Sequence, residues 1–322
     1  MKTLVRYILL FVVAPLVVFS SACFFGEEKK PDPSGLEGSI TVSGAFALYP
    51  LMVKWGEEFR KIHPNVKFNI SAGGAGRGIS DVIGDLGDLA LVSRDLKGPE
   101  KDKGAYPIAV TKDAVLPVVN SSNPNINEIL QRGISKESFY KLFVENSVSD
   151  WQQLGFSISS KMHVYTRSDA AGAAESWAKY LGKKQEDLEG VGVFGDPGLL
   201  QAVLKDVNAV GYNNIGYVFD LKTKQPLQGV KIIPIDINGD GVLDASENFY
   251  SNLDSLLNAI SVGKYPSPPA RDLFFVTHNK PTNKLLVEFI KWVLTSGQQY
   301  VASSGYVAFS KEKLEEELEK LK

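Results

Sequence analysis

The sequence predicts an α/β fold with parallel strands, on three observations. From Ser39 onward, short apolar runs rich in β-branched residues alternate with runs of helical periodicity. Three junctions between such a strand and the helix after it are loops rich in glycine or alanine. At 322 residues the chain is also long enough for two domains. The segment "DAVLPVVNSSNP" (Asp113–Pro124) reads as a crossing between them, apolar and β-branched at first, then polar and closed by proline.

Taken in order, "SITVSG" (Ser39–Gly44) is a strand, and Leu51, Val53, Trp55, Phe59 and Ile62 mark a helix that stops before Pro64. "VKFNIS" (Val66–Ser71) is a second strand, and the stretch from Gly73 to Ser93 reads as a glycine-rich turn, a helix and a third strand. Beyond the crossing, helices over Lys136–Val144, Ala173–Leu181 and Gly198–Lys205 alternate with the strands "HVYT", "VGYNN" and "KIIPID". A last strand "RDLFFVTH" and a helix from Thr282 to Thr295 continue the pattern. The closing "KEKLEEELEKLK" is a charged amphipathic helix, expected to be solvated over most of its surface. No repeat of fixed period is present.

Composition narrows the function. Hydrophobic residues make up 44% and charged residues 22%, as in ordinary folded proteins. Lys plus Arg (35) nearly balance Asp plus Glu (37), and no long basic run exists, so the electrostatic footprint of a nucleic-acid binder is missing. The three histidines (His63, His163, His278) are far apart and lack a second ligand at helical spacing, which argues against zinc or histidine-based catalysis. No nucleophile with its base and orienting group, and no cofactor loop, is visible, so an enzyme is not expected.

The N-terminus reads as a targeting segment over residues 1–22. Lys2 and Arg6 precede an apolar run from Tyr7 to Phe19, and the small residues Ser20, Ser21 and Ala22 stand before the only cysteine, Cys23. That run is short for a membrane span. A lone cysteine after the cleavage site resembles a bacterial lipoprotein signal, which implies a lipidated Cys23, although Ser20 stands where that signal usually has leucine. Residues 24–35, charged and aperiodic, suit a tether to a membrane-anchored body.

In an open α/β sheet, ligands sit beyond the carboxyl ends of strands, where loops lead into helix N-termini. The loops Ser43–Pro50, Ser71–Gly78 and Thr166–Glu175 have that form. Each offers the unpaired N–H groups of a helix start, and convergence of such starts makes an anion site that needs no side chain. Any one of these loops, taken alone, is as readily a tight turn.

The stretches "ITVSGAFALYPL", "ISAGGAGRGI", "DLALVSR", "TRSDAAGAAESWAKYLG", "GYNNIGY" and "KYPSPPARDLFFV" resemble, in order, the landmarks of the phosphate-binding periplasmic proteins that feed bacterial ABC transporters. The resemblance runs from about Ser39 to Ser310. It implies a two-lobe type II solute-binding fold with two crossovers that closes on an oxyanion, with lobe 1 at about 38–119 and 267–322 and lobe 2 at 120–266. Carried over residue by residue, it implies anion contacts from Ala45, Phe46, Ala47, Leu48, Gly74, Ala75, Gly76, Arg77, Ser93, Arg94, Arg167, Asp169, Ala171, Gly172 and Ala173.

The chain departs from that pattern where relatives present Ser or Thr hydroxyls, because Ala45, Ala47, Ala75, Ala171 and Ala173 carry only methyls there. Each hydroxyl bond to a charged ligand is worth roughly 1.5 to 3 kcal/mol, so other donors have to compensate or the ligand differs. Arg167 keeps a fork able to grip an oxyanion with two parallel donors. Arg94 stands where many relatives carry the aspartate that accepts the proton of hydrogen phosphate, leaving Asp169 or Asp95 as substitutes. Asp169 equally serves as an orienting partner for Arg167 two residues away.

A second motif lies apart. "DINGDGVLDASE" fits the twelve-residue calcium loop, with Asp236, Asn238, Asp240, the Val242 carbonyl, Asp244 and Glu247 at the ligand positions and Gly241 at the turn. A strand precedes it where a paired calcium sensor has a helix, so a single structural Ca2+ site is expected. The expected whole is a lipid-anchored, extracytoplasmic binding protein that delivers phosphate or a related oxyanion to an ABC permease. A sensory module of the same fold, for a larger or less charged ligand, is the other reading.

Overall fold

The computed structural model describes residues 35–322; the targeting segment, Cys23 and nearly all of the tether lie outside the described residues. In chain order the elements are β1 (Gly38–Gly44), α1 (Tyr49–Ile62), β2 (Val66–Ala72), α2 (Ala75–Ile83), β3 (Leu89–Val92), α3 (Gly98–Asp102) and β4 (Ala105–Asn120). Then follow α4 (Ile126–Arg132), β5 (Ile134–Ser135), α5 (Lys136–Phe143), β6 (His163–Arg167), α6 (Gly172–Tyr180), β7 (Val191–Val193), α7 (Gly195–Lys205) and β8 (Ala209–Asn214). The chain closes with β9 (Val230–Ile232), β10 (Ile235–Asp236), α8 (Leu253–Ser261), β11 (Ala270–His278), α9 (Lys284–Leu294) and α10 (Lys311–Glu319).

The predicted alternation produces parallel pairing: β1 lies between β2 and β3, and β6 lies between β7 and β8, all in parallel register. The order β2-β1-β3-β11-β4-β8-β6-β7 joins these two parallel groups through antiparallel β4 and β11, with β9 also on β4. β4 is 16 residues long. Its first part pairs with β11 and its last five or six residues with β8 and β9, so one continuous strand belongs to both lobes. β11 supplies the second crossing, with the Val115 N–H donating to the Pro269 carbonyl at 3.2 Å.

Two cores flank this seam. One draws on residues 36–110 and 273–321, the other on 114–270 with Val307, so β4 changes lobe near Ala114, a few residues before the sequence boundary at 119. Trp55, Phe59, Phe275 and Phe289 pack edge to face or stacked in the first core. The indole N–H of Trp55 donates to the Gly297 carbonyl at 2.9 Å, which lets a large ring be buried without an orphan donor. Trp177, Phe139, Phe143 and Tyr212 form the corresponding cluster in the second core.

Some elements escaped the sequence pattern. "KIIPID" is not one strand, because Pro234 lacks the N–H a ladder needs: β9 stays on β4, while β10 leaves to pair with β5 in a separate sheet. α8 is capped by Asn252, whose side chain accepts from the Ser255 N–H at 2.9 Å. Among the described residues, no helix is long and apolar enough to cross a membrane.

The C-terminal helix is solvated over most of its surface, as its charge pattern predicts, but it is anchored by one buried carboxylate. Glu317 is 1% exposed, and its Oε2 accepts from the Ala109 N–H of β4 at 2.9 Å and pairs with Lys320 at 2.6 Å. A strand N–H facing a helix rather than another strand needs such an acceptor. Glu317→Ala leaves that donor buried and unmet, with an expected loss of about 1–3 kcal/mol in urea unfolding. An unchanged transition midpoint would show that α10 merely rests on the surface.

Candidate functional site

β1, β3, β6 and β8 end at the same place, where the two lobes meet. The 3₁₀ turn Phe46–Leu48, α2 and α6 begin there, and none of their N-cap residues (Ala45, Gly74, Ala171) makes a side-chain cap bond. Their first N–H groups, which a helix cannot satisfy internally, are left for other acceptors. Ala45, Phe46, Ala47, Gly74, Ala75, Ser93, Arg167, Ala171, Gly172 and Ala173, joined by Asp196 and Asn214, line one cavity of about 10 Å3. With the lobes as close as they stand here, that is room for about one water.

Two glycines let the lobes meet this closely. Gly74 holds φ +87°, and a Cβ there would stand 3.0 Å from both the Ala170 carbonyl and Asp169 Oδ2. A Cβ on Gly172 would fall 2.1 Å from Ser93 Oγ. Other links between the lobes are the Gly76 N–H to the Ala170 carbonyl at 3.5 Å and the Tyr217 hydroxyl to the Phe46 carbonyl at 3.2 Å.

Arg167, the last residue of β6, is the charged centre of the cavity. Its side chain is 2% exposed and lies between two carboxylates. Nε and Nη2 donate to Asp169 at 2.8 and 2.6 Å, and Nη1 donates to Asp196 at 2.7 Å. Three of the five guanidinium N–H groups are thereby committed, and two remain. The Phe46 ring covers the guanidinium, with its centroid 5.4 Å from Cζ. Asp169 also accepts from the Gly195 N–H at 3.1 Å, and Asp196 from Asn214 Nδ2 at 2.5 Å.

The network continues into the crossing strands. Asn214 Oδ1 accepts from Arg271 of β11, which lies 3.7 Å from Asp113 of β4. Burial pushes Asp196 above the usual carboxylate range against the pull of Arg167, and pushes Asp113 up to about 7 against the pull of Arg271. One arginine against two aspartates gives Arg167, Asp169 and Asp196 a side-chain charge of 1 − 2 = −1. Attraction for an anion therefore comes from the helix starts, each equivalent to roughly +0.5 charge.

Some residues named from sequence lie elsewhere. Leu48 is fully buried in the first core and does not line the cavity. Arg77 points outward, its side chain 61% exposed and 3.5 Å from Asp81. Arg94 is buried but turned away: it forms a two-pronged pair with Glu100 at 2.8 and 2.6 Å and lies 3.3 Å from Glu175 of the opposite lobe. It works as a strut between lobes because two carboxylates outbid any external anion for its donors. Asp95 is exposed and paired with Lys179 at 2.9 Å. Asp169 orients Arg167 and is absent from the lining.

A model of the PBP superfamily domain matches residues 31–296. The chain belongs to the PBP superfamily. It is 26% identical over 314 residues to a phosphate-binding protein PstS of Staphylococcus epidermidis, covering 95% of this chain and 89% of that protein. To the phosphate-binding protein PstS of Bacillus subtilis it is 26% identical over 235 residues, 70% of this chain and 76% of the other. In fold it matches a putative phosphate ABC transporter substrate-binding protein with bound phosphate from Clostridium perfringens, with a TM-score of 0.69, 21% identity, and 85% of this chain and 100% of the other covered. An ABC-type phosphate transport receptor from Vibrio cholerae gives a TM-score of 0.61 over 84% of this chain and 100% of the other.

The superfamily match and the fold together make this a type II PBP fold, similar to the phosphate-binding proteins just named. Within that PBP fold, sequence reasoning missed Asp196 and Asn214. Their signals were present: "FGDPG" places an aspartate in the first turn of α7, and "GYNN" ends a strand beside β6.

Asp113 gives this network a pH signature. A carboxyl whose pKa rises on folding contributes stability that is complete below its ordinary value of 3.8 and lost as pH rises through about 7. Relative to Asp113→Asn, the native melting midpoint should therefore fall across about pH 4 to 7. Parallel profiles for the two proteins would remove Asp113 from the account.

Proposed function

We propose that the protein is an extracytoplasmic solute-binding protein that captures phosphate, or a closely related tetrahedral oxyanion, between its lobes and hands it to an ABC importer. The observation that carries this reading is the small cavity where helix starts from both lobes converge on the buried Arg167. The relatives named above support phosphate, and the signal-like residues 1–22 with Cys23 support export and a lipid anchor that holds the body near its permease.

The lost hydroxyls have a counterpart in this arrangement. Ala45, Ala47, Ala75, Ala171 and Ala173 are buried around the cavity, and a low-dielectric surround strengthens every N–H and guanidinium interaction with an anion. Asp196 is the one carboxylate in the lining, so it takes the role of proton acceptor that Arg94 cannot fill. A ligand carrying a proton donates it a hydrogen bond; sulfate, without a proton, meets only repulsion.

Calorimetric titration with phosphate, arsenate and sulfate at fixed salt tests the ligand. Phosphate should bind, and Arg167→Lys, which keeps the charge but loses the fork, should weaken it by about tenfold or more. Absence of heat with phosphate at millimolar concentration would sink the reading.

Selectivity provides a separate check. In Asp196→Asn the ratio of phosphate to sulfate affinity should fall by at least about tenfold, the worth of one charged hydrogen bond. An unaltered ratio would mean that discrimination lies elsewhere.

A further inference from the structure

The loop between β10 and α8 takes no part in the anion site, yet it concentrates Asp236, Asp240, Asp244 and Glu247 within twelve residues. No basic residue lies in this stretch, and among the described residues none of the four forms an ion pair. Four carboxylates this close repel one another unless a cation sits among them. The backbone is already wound as a chelating loop. Asp236 accepts from the N–H groups of Gly239 and Gly241 at 2.8 and 2.9 Å, Asn238 from Asp240 at 2.9 Å, and Asp240 from Val242 at 2.9 Å.

Glu247 supplies an independent observation. It is 3% exposed, and its Oε1 reaches back across the loop to accept from the Ile237 and Asn238 N–H groups, both at 2.9 Å. Its Oε2 is buried with no partner. A buried carboxylate oxygen without a donor is costly, and a metal ion bound by the loop removes that cost. We propose that Asp236–Glu247 is a Ca2+ site, with oxygen ligands from Asp236, Asn238, Asp240, the Val242 carbonyl, Asp244 and Glu247.

Calcium suits this set better than magnesium, because a flexible ring of six or more oxygens meets its coordination number and not the tight octahedron magnesium requires. Among the described residues no three acidic groups already converge tightly enough to hold a metal, so binding draws the exposed Asp240 and Asp244 inward toward Glu247. The site's task is to brace the second lobe. β10 pairs with β5, and the Leu243 N–H donates to the Gln131 carbonyl at the end of α4 at 3.1 Å. Closing the loop on an ion fixes both attachments.

The test uses the full chain, stripped with chelator, by equilibrium dialysis with Ca2+ and by melting with and without the ion. One Ca2+ per chain should bind with a dissociation constant of about 10⁻⁴–10⁻³ M and raise the midpoint. Glu247→Gln should weaken binding by about tenfold or more, as the closing bidentate ligand is lost. Asp240→Asn, at an exposed position, should weaken binding while leaving the midpoint in chelator unchanged. The proposal is overturned if the native chain binds no Ca2+ at about 10 mM. It is equally overturned if both variants bind like the native chain, or if Mg2+ matches Ca2+ in affinity and midpoint shift.

Discussion

Everything at the interlobe site depends on Arg167 being held between Asp169 and Asp196. A guanidinium this buried is tolerated only when its charge is paired and its donors are used, and removing either aspartate would leave one or two of its buried N–H donors without an acceptor. Such a triad adds little to net stability, since burying three charges costs about as much as their attraction returns. What it provides is direction. With Nε and one proton each of Nη1 and Nη2 fixed, the two remaining N–H groups are aimed without rotamer freedom, so an anion that meets them loses little ordering entropy. The fold supplies each member of the triad from a different element: Arg167 from the end of β6, Asp169 from the loop that follows, Asp196 from the first turn of α7.

The same network ties the site to the seam between lobes. Asn214 touches both Asp196 and Arg271, and Arg271 lies on one crossing strand opposite Asp113 on the other. The crossings are thus also where buried polar groups from the two lobes are reconciled. Lobe closure is fixed by close backbone approach at Gly172 and Ser93 and by the Arg94–Glu175 strut, neither of which needs a ligand hydroxyl contact. This explains how the chain accommodates alanines in loops where its resembling family has hydroxyls. The loops are positioned by their own packing and by N–H geometry, and a methyl packs in a dry interface as well as a hydroxyl does.

Much of the fold was legible because its signal is periodic. β1, α1, β2, α2, β3, β6, α6 and β8 all follow from apolar spacing, and the converging helix starts follow from their loops. Charge pairing was not legible. Nothing local distinguishes Arg167, which faces the cavity, from Arg94, which faces away; the difference is that Glu100 and Glu175 reach the latter in three dimensions. For the same reason the anchor of α10 was not legible, since the Ala109 N–H that captures Glu317 is 208 residues away. Asp196 was hidden because an aspartate in a helix's first turn ordinarily reads as a dipole partner. The break in "KIIPID" was readable from Pro234, but apolar patterning outweighed it.

The second lobe links its two distinctive features through its aromatic core. β5, the partner of the acidic loop's first strand, runs straight into α5, whose Phe139 and Phe143 pack edge-on against Trp177 of α6 at 5.0 and 5.5 Å. Trp177 in turn stacks on Tyr212, whose hydroxyl meets Thr166 Oγ1 at 2.8 Å and accepts from the Arg167 N–H at 3.3 Å. Close-packed rings transmit displacement rather than absorb it, so the position of α5 bears directly on where α6 presents its first N–H groups and where β6 presents its arginine. A site that depends on backbone donors is more sensitive to such placement than one lined with hydroxyls, because a hydroxyl can rotate to find its acceptor and an N–H cannot. The loss of hydroxyls from the cavity therefore raises the demand for rigidity in the lobe behind it, and the acidic loop anchored to β5 lies where that rigidity can be supplied.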